Sequence, residues 1–282
     1  MPLQKIKDTL ELIKFSHSIF ALPFALGAML IAARGFPEPI LFFRILLAVI
    51  FARTAAMAFN RWIDADIDAE NPRTQNRHLP QGLMSKRFVI TLWLLSSLGF
   101  MGVAFLLGKL CFILSFFALF ILFFYSYTKR FTHYSQFFLG LSLSLAPAGA
   151  WIAVTGSFGG IPFILSLAVL FWVAGFDILY ATQDEEFDRQ HKLHSMVVKL
   201  GIRKALICAR SLHLLSFLLM LMVGGMAHLH QIYFIGLVLM GVLFFYQHRL
   251  VKPQDLSRVN AAFFTTNGVI SLLFLLSVYF SL

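Results

Sequence analysis

Nine of the thirteen acidic residues crowd into two short stretches, four from Asp64 to Glu70 and five from Asp177 to Asp188. In the first, Asn60, Asp64 and Asp68 recur every four residues, so a helix would stack them along one face. Arg53 lies seven residues before Asn60, two turns down that face and deeper in an apolar run. Asn71-Pro72 should stop the helix, because a residue before proline avoids the helical region. The loop that follows adds Arg73, Arg77 and His78. In the second stretch Tyr180, Asp184 and Asp188 repeat the four-residue interval, with Asp177 on the same stripe. Asp64 and Asp184 are 120 residues apart and look like equivalent points of a divergent four-helix repeat.

Carboxylates beside a membrane are costly, so repeated helical spacing calls for a chemical use. Hard divalent cations take oxygen ligands, and Mg²⁺ is typically held by one or two carboxylates plus substrate phosphate oxygens. Two facing Asp-x-x-x-Asp helices would hold Mg²⁺ bridging to a diphosphate, with Arg73, Arg77, Lys129, Arg130 and Lys192 completing the clamp. Acid and base together at the mouth of an apolar bundle suit an amphiphile with a diphosphate head and a hydrocarbon tail. A zinc set of Asp188, His191 and His194 is the weaker metal reading.

The elements that position these residues are membrane helices. The chain has 282 residues, of which 59% are hydrophobic, 13% charged and 33 are Phe. Its mean hydropathy is +0.81. A soluble domain carries about 25% charged residues, so soluble, disordered, fibrous and disulfide-framework classes are excluded and lipid is the solvent. Cys111 and Cys208 stand in apolar runs without a CxxC or His partner and read as small packing residues. The run Phe15 to Ala33 exceeds the 7–15 or so residues of a signal-peptide core and reads as an uncleaved first transmembrane helix.

Nine spans of about 20 apolar residues are expected. Their centres lie near Gly27, Ala48, Ser97, Ala118, Ser144, Leu170, Phe217, Val238 and Ile270. The net charge of +10 records topology and not a nucleic-acid partner. Of the 23 Lys and Arg residues, 18 fall before the first span or around the polar connections 64–87, 129–136, 181–204 and 249–258, against 3 on the other side. Positive charge collects in the cytoplasm, so the N-terminus and polar loops should face it. The expected architecture is all-α. Residues 1–282 form one membrane-embedded domain of nine helices around a central cavity, with both Asp-x-x-x-Asp helices on the cytoplasmic side.

At this point the residues resemble a known family, the intramembrane aromatic prenyltransferases of the UbiA superfamily. The resemblance rests on the nine spans and on Asn60-Asp64-Asp68, Asn76-Arg77-His78-Leu79-Pro80-Gln81-Gly82, Tyr125-Ser126-Tyr127-Thr128-Lys129-Arg130 and Tyr180-Ala181-Asp184-Asp188. It is strongest to bacterial 4-hydroxybenzoate polyprenyltransferases and to their relatives in menaquinone synthesis through futalosine, which the stretch Lys14 to Ala25 resembles. Ser126 and His78 depart from prolines common in the family, without touching a metal ligand. The resemblance implies Mg²⁺-dependent transfer of a polyprenyl group from its diphosphate to a ring carbon of an aromatic acid, in quinone biosynthesis at a bacterial inner membrane. It implies Asp64, Asp68, Asp184 and Asp188 as Mg²⁺ ligands assisted by Asn60, and Arg73, Arg77, Lys129, Arg130 and Lys192 on the diphosphate. Tyr180 would steady the allylic cation or bond the head group. Arg53 would hold the aromatic carboxylate or the diphosphate, or else pair with Asp177, itself a weaker candidate for the base.

Other classes read less well. A secondary transporter would place its ionisable residues at the midplane, whereas these lie at one edge. A phosphatidyl-alcohol transferase needs DGxxAR, which does not occur here. Haem farnesylation and chlorophyll prenylation are set aside on resemblance alone. No obligate protein partner is called for.

Overall fold

The structure, a computed structural model, describes residues 2–282. An amphipathic helix α1 (Pro2–Leu12) leads into a 3-10 turn (Phe15–Phe20) and α2 (Leu22–Ala33). Then come α3 (Pro39–Ile63), α4 (Ala65–Glu70), α5 (Lys86–Leu107), α6 (Lys109–Thr128), α7 (Ser135–Thr155) and α8 (Gly160–Ala181). The chain ends with α9 (Glu185–Gln190), α10 (Met196–Leu200), α11 (Ile202–Met226), α12 (Gln231–Leu250), a π-helical turn (Ala261–Thr266) and α13 (Asn267–Tyr279). Among the described residues nine helical segments are long and apolar enough to cross a membrane. These are the nine spans expected from sequence.

The first span is not one continuous α-helix. Pro23 has no N–H to give to the carbonyl four residues earlier, so Ile19 would be left with an unpaired acceptor in an apolar setting. An orphaned buried group costs about 1–3 kcal/mol. The chain answers with the 3-10 turn and with Ser271 on α13, whose hydroxyl donates to the Ile19 carbonyl at 2.6 Å. First and last spans are thereby joined.

The bundle is turned out toward lipid. Leu98, Phe105, Phe120, Ile235, Val242 and Phe245 are exposed, as expected where the surroundings are as apolar as the core. The packed centre holds Phe24, Trp172, Phe176, Tyr233 and Phe274, all essentially inaccessible. Small residues set the closest approaches: a Cβ on Gly140 of α7 would lie 2.3 Å from the Leu170 carbonyl oxygen of α8. Helices α3 and α5, α7 and α8, and α8 and α11 form the main packed pairs. Between α3, α5, α6, α7 and α8 the bundle leaves a central cavity of about 730 Å³.

Both carboxylate stripes differ from expectation. In the second a 3-10 turn (Thr182–Asp184) intervenes, leaving Tyr180 on α8, Asp184 in the turn and Asp188 on α9. In the first the change is at Asp64. The helix breaks at Asp64, which has φ −93° and ψ 3°, so Asn60 and Asp68 sit on α3 and α4 respectively. The backbone bonds from Asp64 N–H to Asn60 and from Asp68 N–H to Asp64 survive the break, at 2.9 and 2.8 Å. The four-residue register therefore persists although the axis bends. Asn71 is extended and ends α4, as its proline neighbour requires.

Candidate active site

Contacts between distant segments bring the C-terminal ends of α3, α6 and α8 to one end of the cavity. The last carbonyl of α3, on Ile63, accepts from Arg130 Nη2 at 2.7 Å. Cations belong at a helix C-terminus, where unpaired carbonyls leave negative potential. Asp64 at that same end would be disfavoured alone. It receives Lys129 Nζ at 2.7 Å, Asn60 Nδ2 at 2.9 Å and Arg130 Nη2 at 3.5 Å. Ser126, the departure from the family's proline, accepts from Asn60 Nδ2 at 3.4 Å.

The other carboxylates are matched in the same way. Asp68 accepts from Arg77 Nη1 at 2.6 and 2.7 Å, with buried Arg61 at 3.8 Å. Asp184 accepts from Arg73 Nε at 2.8 Å and from Asn71 Nδ2 at 3.1 Å, and Arg73 Nη2 binds its second oxygen. Arg73 also donates to the Tyr180 hydroxyl at 2.7 Å and lies over that ring, 4.8 Å from its centroid. Phe263, from the π-helical turn, stacks on the same ring at 4.1 Å. Burial of Arg73 alone would lower its pKa, but its hydrogen bonds to Asp184 and the charges of Asp184, Tyr180 and Asp68 outweigh it, and the pKa is raised. Lys14 shows the reverse: burial, reinforced by Arg61 and Arg77 and opposed by Glu11, lowers its pKa.

Asp188 lines the cavity, and its carboxylate makes no ion pair among the described residues. The donors facing the mouth are thus oxygen atoms of Asp64, Asp68, Asp184, Asp188, Asn60 and Asn71. That is the hard set Mg²⁺ prefers, although His194 also lines the cavity. His191 and His194 are engaged separately. The His191 ring stacks on Phe187 and lies 3.4 Å from Glu70, while His194 packs edge-on against His133. Because three carboxylates already carry a basic partner, a metal and a diphosphate entering together would exchange these pairs. A dication held there would take the carboxylates and leave Arg73, Arg77 and Lys129 free for the phosphates.

Most sequence-identified residues meet here, with two exceptions. Arg130 touches Asp64 from outside the cavity wall. Lys192 does not join the cluster: it is exposed, holds a left-handed backbone (φ 54°) in the turn after α9, and makes no ion pair among the described residues. Spacing placed it on the correct side of the bundle, but the turn carries its side chain into solvent. Arg53 lines the deeper cavity and donates to the Lys14 carbonyl at 3.2 Å. Its Nε is buried without a partner, and it forms no ion pair with Asp177 among the described residues. Sequence reasoning missed Asn71 as a partner of Asp184 and Arg61 as a partner of Asp68. Arg61 sits seven residues before Asp68, a helical interval that carried the signal. Nothing local to Phe263 marked it as a neighbour of Tyr180.

Residues 21–275 match the model of the UbiA prenyltransferase family. The chain belongs to that family. Similar curated proteins include the 4-hydroxybenzoate octaprenyltransferase of Vibrio atlanticus, 30% identical over 86% of this chain and 86% of that protein. Another is the 4-hydroxybenzoate octaprenyltransferase of Marinomonas, 32% identical over 95% of each. Among solved structures, the apo UbiA homologue from Aeropyrum pernix superposes with a TM-score of 0.85, at 29% identity over 93% of this chain and 96% of that one. A UbiA homologue from Archaeoglobus fulgidus bound to GPP and Mg²⁺ shares the fold, with a TM-score of 0.77 at 22% identity over 97% and 99%. This UbiA-family chain is an integral membrane enzyme, a prenyltransferase. The transporter alternative falls with that assignment.

Proposed function

We propose that this prenyltransferase moves a polyprenyl group from polyprenyl diphosphate onto a ring carbon of an aromatic acid of the 4-hydroxybenzoate type. The reaction serves quinone biosynthesis at the cytoplasmic face of a bacterial inner membrane. The observation that carries the proposal is the lattice of paired carboxylates and basic groups at the mouth of an apolar cavity of about 730 Å³. The 18-to-3 charge asymmetry supports the orientation.

Asp64, Asp68, Asp184 and Asp188 would hold Mg²⁺, with Asn60 assisting the first pair. The metal, when bound, neutralises charge developing on the departing diphosphate. Arg73, Arg77 and Lys129 bind and orient that diphosphate, and Arg130 supports Asp64 from outside. Moving Arg73 onto the phosphates uncovers the face of Tyr180, whose ring then steadies the allylic cation, a contact of about 2 kcal/mol when desolvated. Arg53 sits below the mouth with an unpaired nitrogen and anchors the acceptor carboxylate. The ring carbon beside the acceptor hydroxyl attacks and then loses its proton. The apolar walls exclude the water that would otherwise hydrolyse the cation.

The acceptor 1,4-dihydroxy-6-naphthoate is the second reading. The stretch Lys14 to Ala25 favours it through its resemblance to the menaquinone group, and Lys14, His17, Phe20 and Ala21 of that stretch line the cavity. The test incubates purified protein with Mg²⁺, labelled polyprenyl diphosphate and each acceptor in parallel, with Asp64→Ala and Asp184→Ala as controls. Product with one acceptor, lost in both variants, is expected. No product with either acceptor would overturn the proposal.

A further inference from the structure

The last span begins with a turn of unusual pitch. Ala261–Thr266 is π-helical, bonded five residues apart instead of four, and α13 then resumes the ordinary pitch. Such turns are rare and gather at functional sites. In lipid every carbonyl that the change of pitch loosens must still find a donor. Here the donors are side chains. Asn267, fully buried at the end of the turn, gives its Nδ2 to the Ala262 carbonyl at 3.2 Å and to the Phe263 carbonyl at 2.9 Å. Gln247 of α12 donates to the same Ala262 carbonyl at 2.8 Å. Asn267 is itself fixed by Trp172 of α8, whose indole N–H donates to its Oδ1 at 3.0 Å. Both amide hydrogens and the amide oxygen of Asn267 are thus engaged.

A wider turn takes more residues per revolution, so consecutive side chains diverge less than the roughly 100° of an α-helix. Phe263 and Phe264 are consecutive, and both line the cavity. Phe263 stacks on Tyr180 with ring centroids 4.1 Å apart and an interplanar angle of 28°, while Phe264 meets His17 edge-on at 4.2 Å. Tyr180 therefore has two partners on its ring, Arg73 and Phe263. Arg73 is the one that a diphosphate draws away. Phe263 stays, because Asn267, Gln247 and Trp172 hold its backbone from behind.

We infer that Asn267 is a positioning residue for transfer: by holding the π turn open it keeps Phe263 against Tyr180 after Arg73 has turned to the diphosphate. The Tyr180 ring is then presented to the allylic cation in one place. The inference rests on the prenyl diphosphate reading of the site. When the carbon–oxygen bond to the diphosphate breaks, its electron pair leaves with the diphosphate, and the cation has two fates. The acceptor ring carbon attacks it, forming a carbon–carbon bond and releasing the ring proton. Alternatively water attacks it, forming the prenyl alcohol and releasing a proton. A loosened Tyr180 steadies the cation less and admits water, so the balance moves toward the alcohol.

The test measures the ratio of geraniol to geranylated acceptor formed from labelled geranyl diphosphate, with Mg²⁺ and the acceptor that wild type uses. The variants are Asn267→Leu, Asn267→Asp and Phe263→Leu. Asn267→Asp has the native shape, keeps the oxygen to which Trp172 donates and loses the amide donors. The ratio should rise about tenfold in each variant, the order expected when a cation–π contact is loosened, with the KM for the diphosphate unchanged. Asn267→Leu added to Phe263→Leu should raise it no further, since both act through one contact. A merely structural role would lower turnover and melting temperature and leave the ratio as in wild type, and that result in a folded variant overturns the inference. A multiplied rise in the double variant overturns it as well. Where Asn267→Leu does not fold, Asn267→Asp carries both comparisons. Failure of wild type to form either product would remove the prenyl-transfer reading itself, which an unchanged ratio leaves standing.

Discussion

Arg73 and Asp184, 111 residues apart in the chain, meet through two guanidinium bonds, Nε to Oδ1 at 2.8 Å and Nη2 to Oδ2. The pair ties the loop after α4 to the start of α9, so a base from the first half of the chain neutralises an acid from the second. It also blocks the acid from a metal. Arg73→Ala should therefore strengthen binding of Mg²⁺ alone while weakening binding of prenyl diphosphate by about tenfold, the worth of a charged hydrogen bond. Titration calorimetry with each ligand separately reads both changes. A loss of affinity for Mg²⁺ would show that Arg73 merely holds Asp184 in place.

Asp68 receives Arg77 on both oxygens and is nearly enclosed. Asp68→Asn keeps the shape and removes the charge a metal needs. The expected loss is about 10²–10³ in kcat, comparable to deleting one electrostatic contact to a transition state. EDTA should abolish transfer by wild type, and added Mg²⁺ should restore it. Full activity in EDTA would remove the metal from the reaction.

The aspartates were legible because Asn60, Asp64, Asp68 and Tyr180, Asp184, Asp188 keep a helical period that apolar neighbours do not blur. The nine spans were legible from apolar length alone. The break at Asp64 was not, since Asp64-Ala65 carries neither proline nor glycine to mark it. Pro23 is visible in the sequence, but its consequence depends on Ser271, 252 residues away from the bonded Ile19. The stacking of Phe263 on Tyr180 is likewise a product of long-range packing among many interchangeable Phe residues. Lys192 misled because spacing reports the side of a membrane and not the direction of a side chain in a turn.

Arg53 lines the cavity and keeps its buried Nε unpaired, and a buried guanidinium has most to gain from a carboxylate. Arg53→Ala should raise KM for the aromatic acid about 10- to 100-fold, the range of 1.5–3 kcal/mol for such a bond, with the Kd for prenyl diphosphate unchanged. Steady-state kinetics at saturating diphosphate, alongside diphosphate titration, separate the two. A parallel weakening of diphosphate binding would reassign Arg53 to the head group.

Gly140 lets α7 lie against α8 with no side chain between them, and α8 carries Tyr180 near its far end, just before the turn that ends at Asp184. Small residues at such crossings allow the close backbone approach on which helix association in lipid depends. A methyl there would overlap the Leu170 carbonyl oxygen, which is backbone and cannot swing aside. Gly140→Ala should cost about 1–3 kcal/mol, the usual range for overpacking, and lower the melting temperature in detergent. Gly102→Ala, on α5, meets nothing within 4 Å and serves as the control. Because α7 also forms the cavity wall through Leu139 and Leu143, the Gly140 variant should lose activity at temperatures where it remains folded, and the Gly102 variant should not. Equal melting temperatures for the two would show that α7 can shift along α8 without penalty.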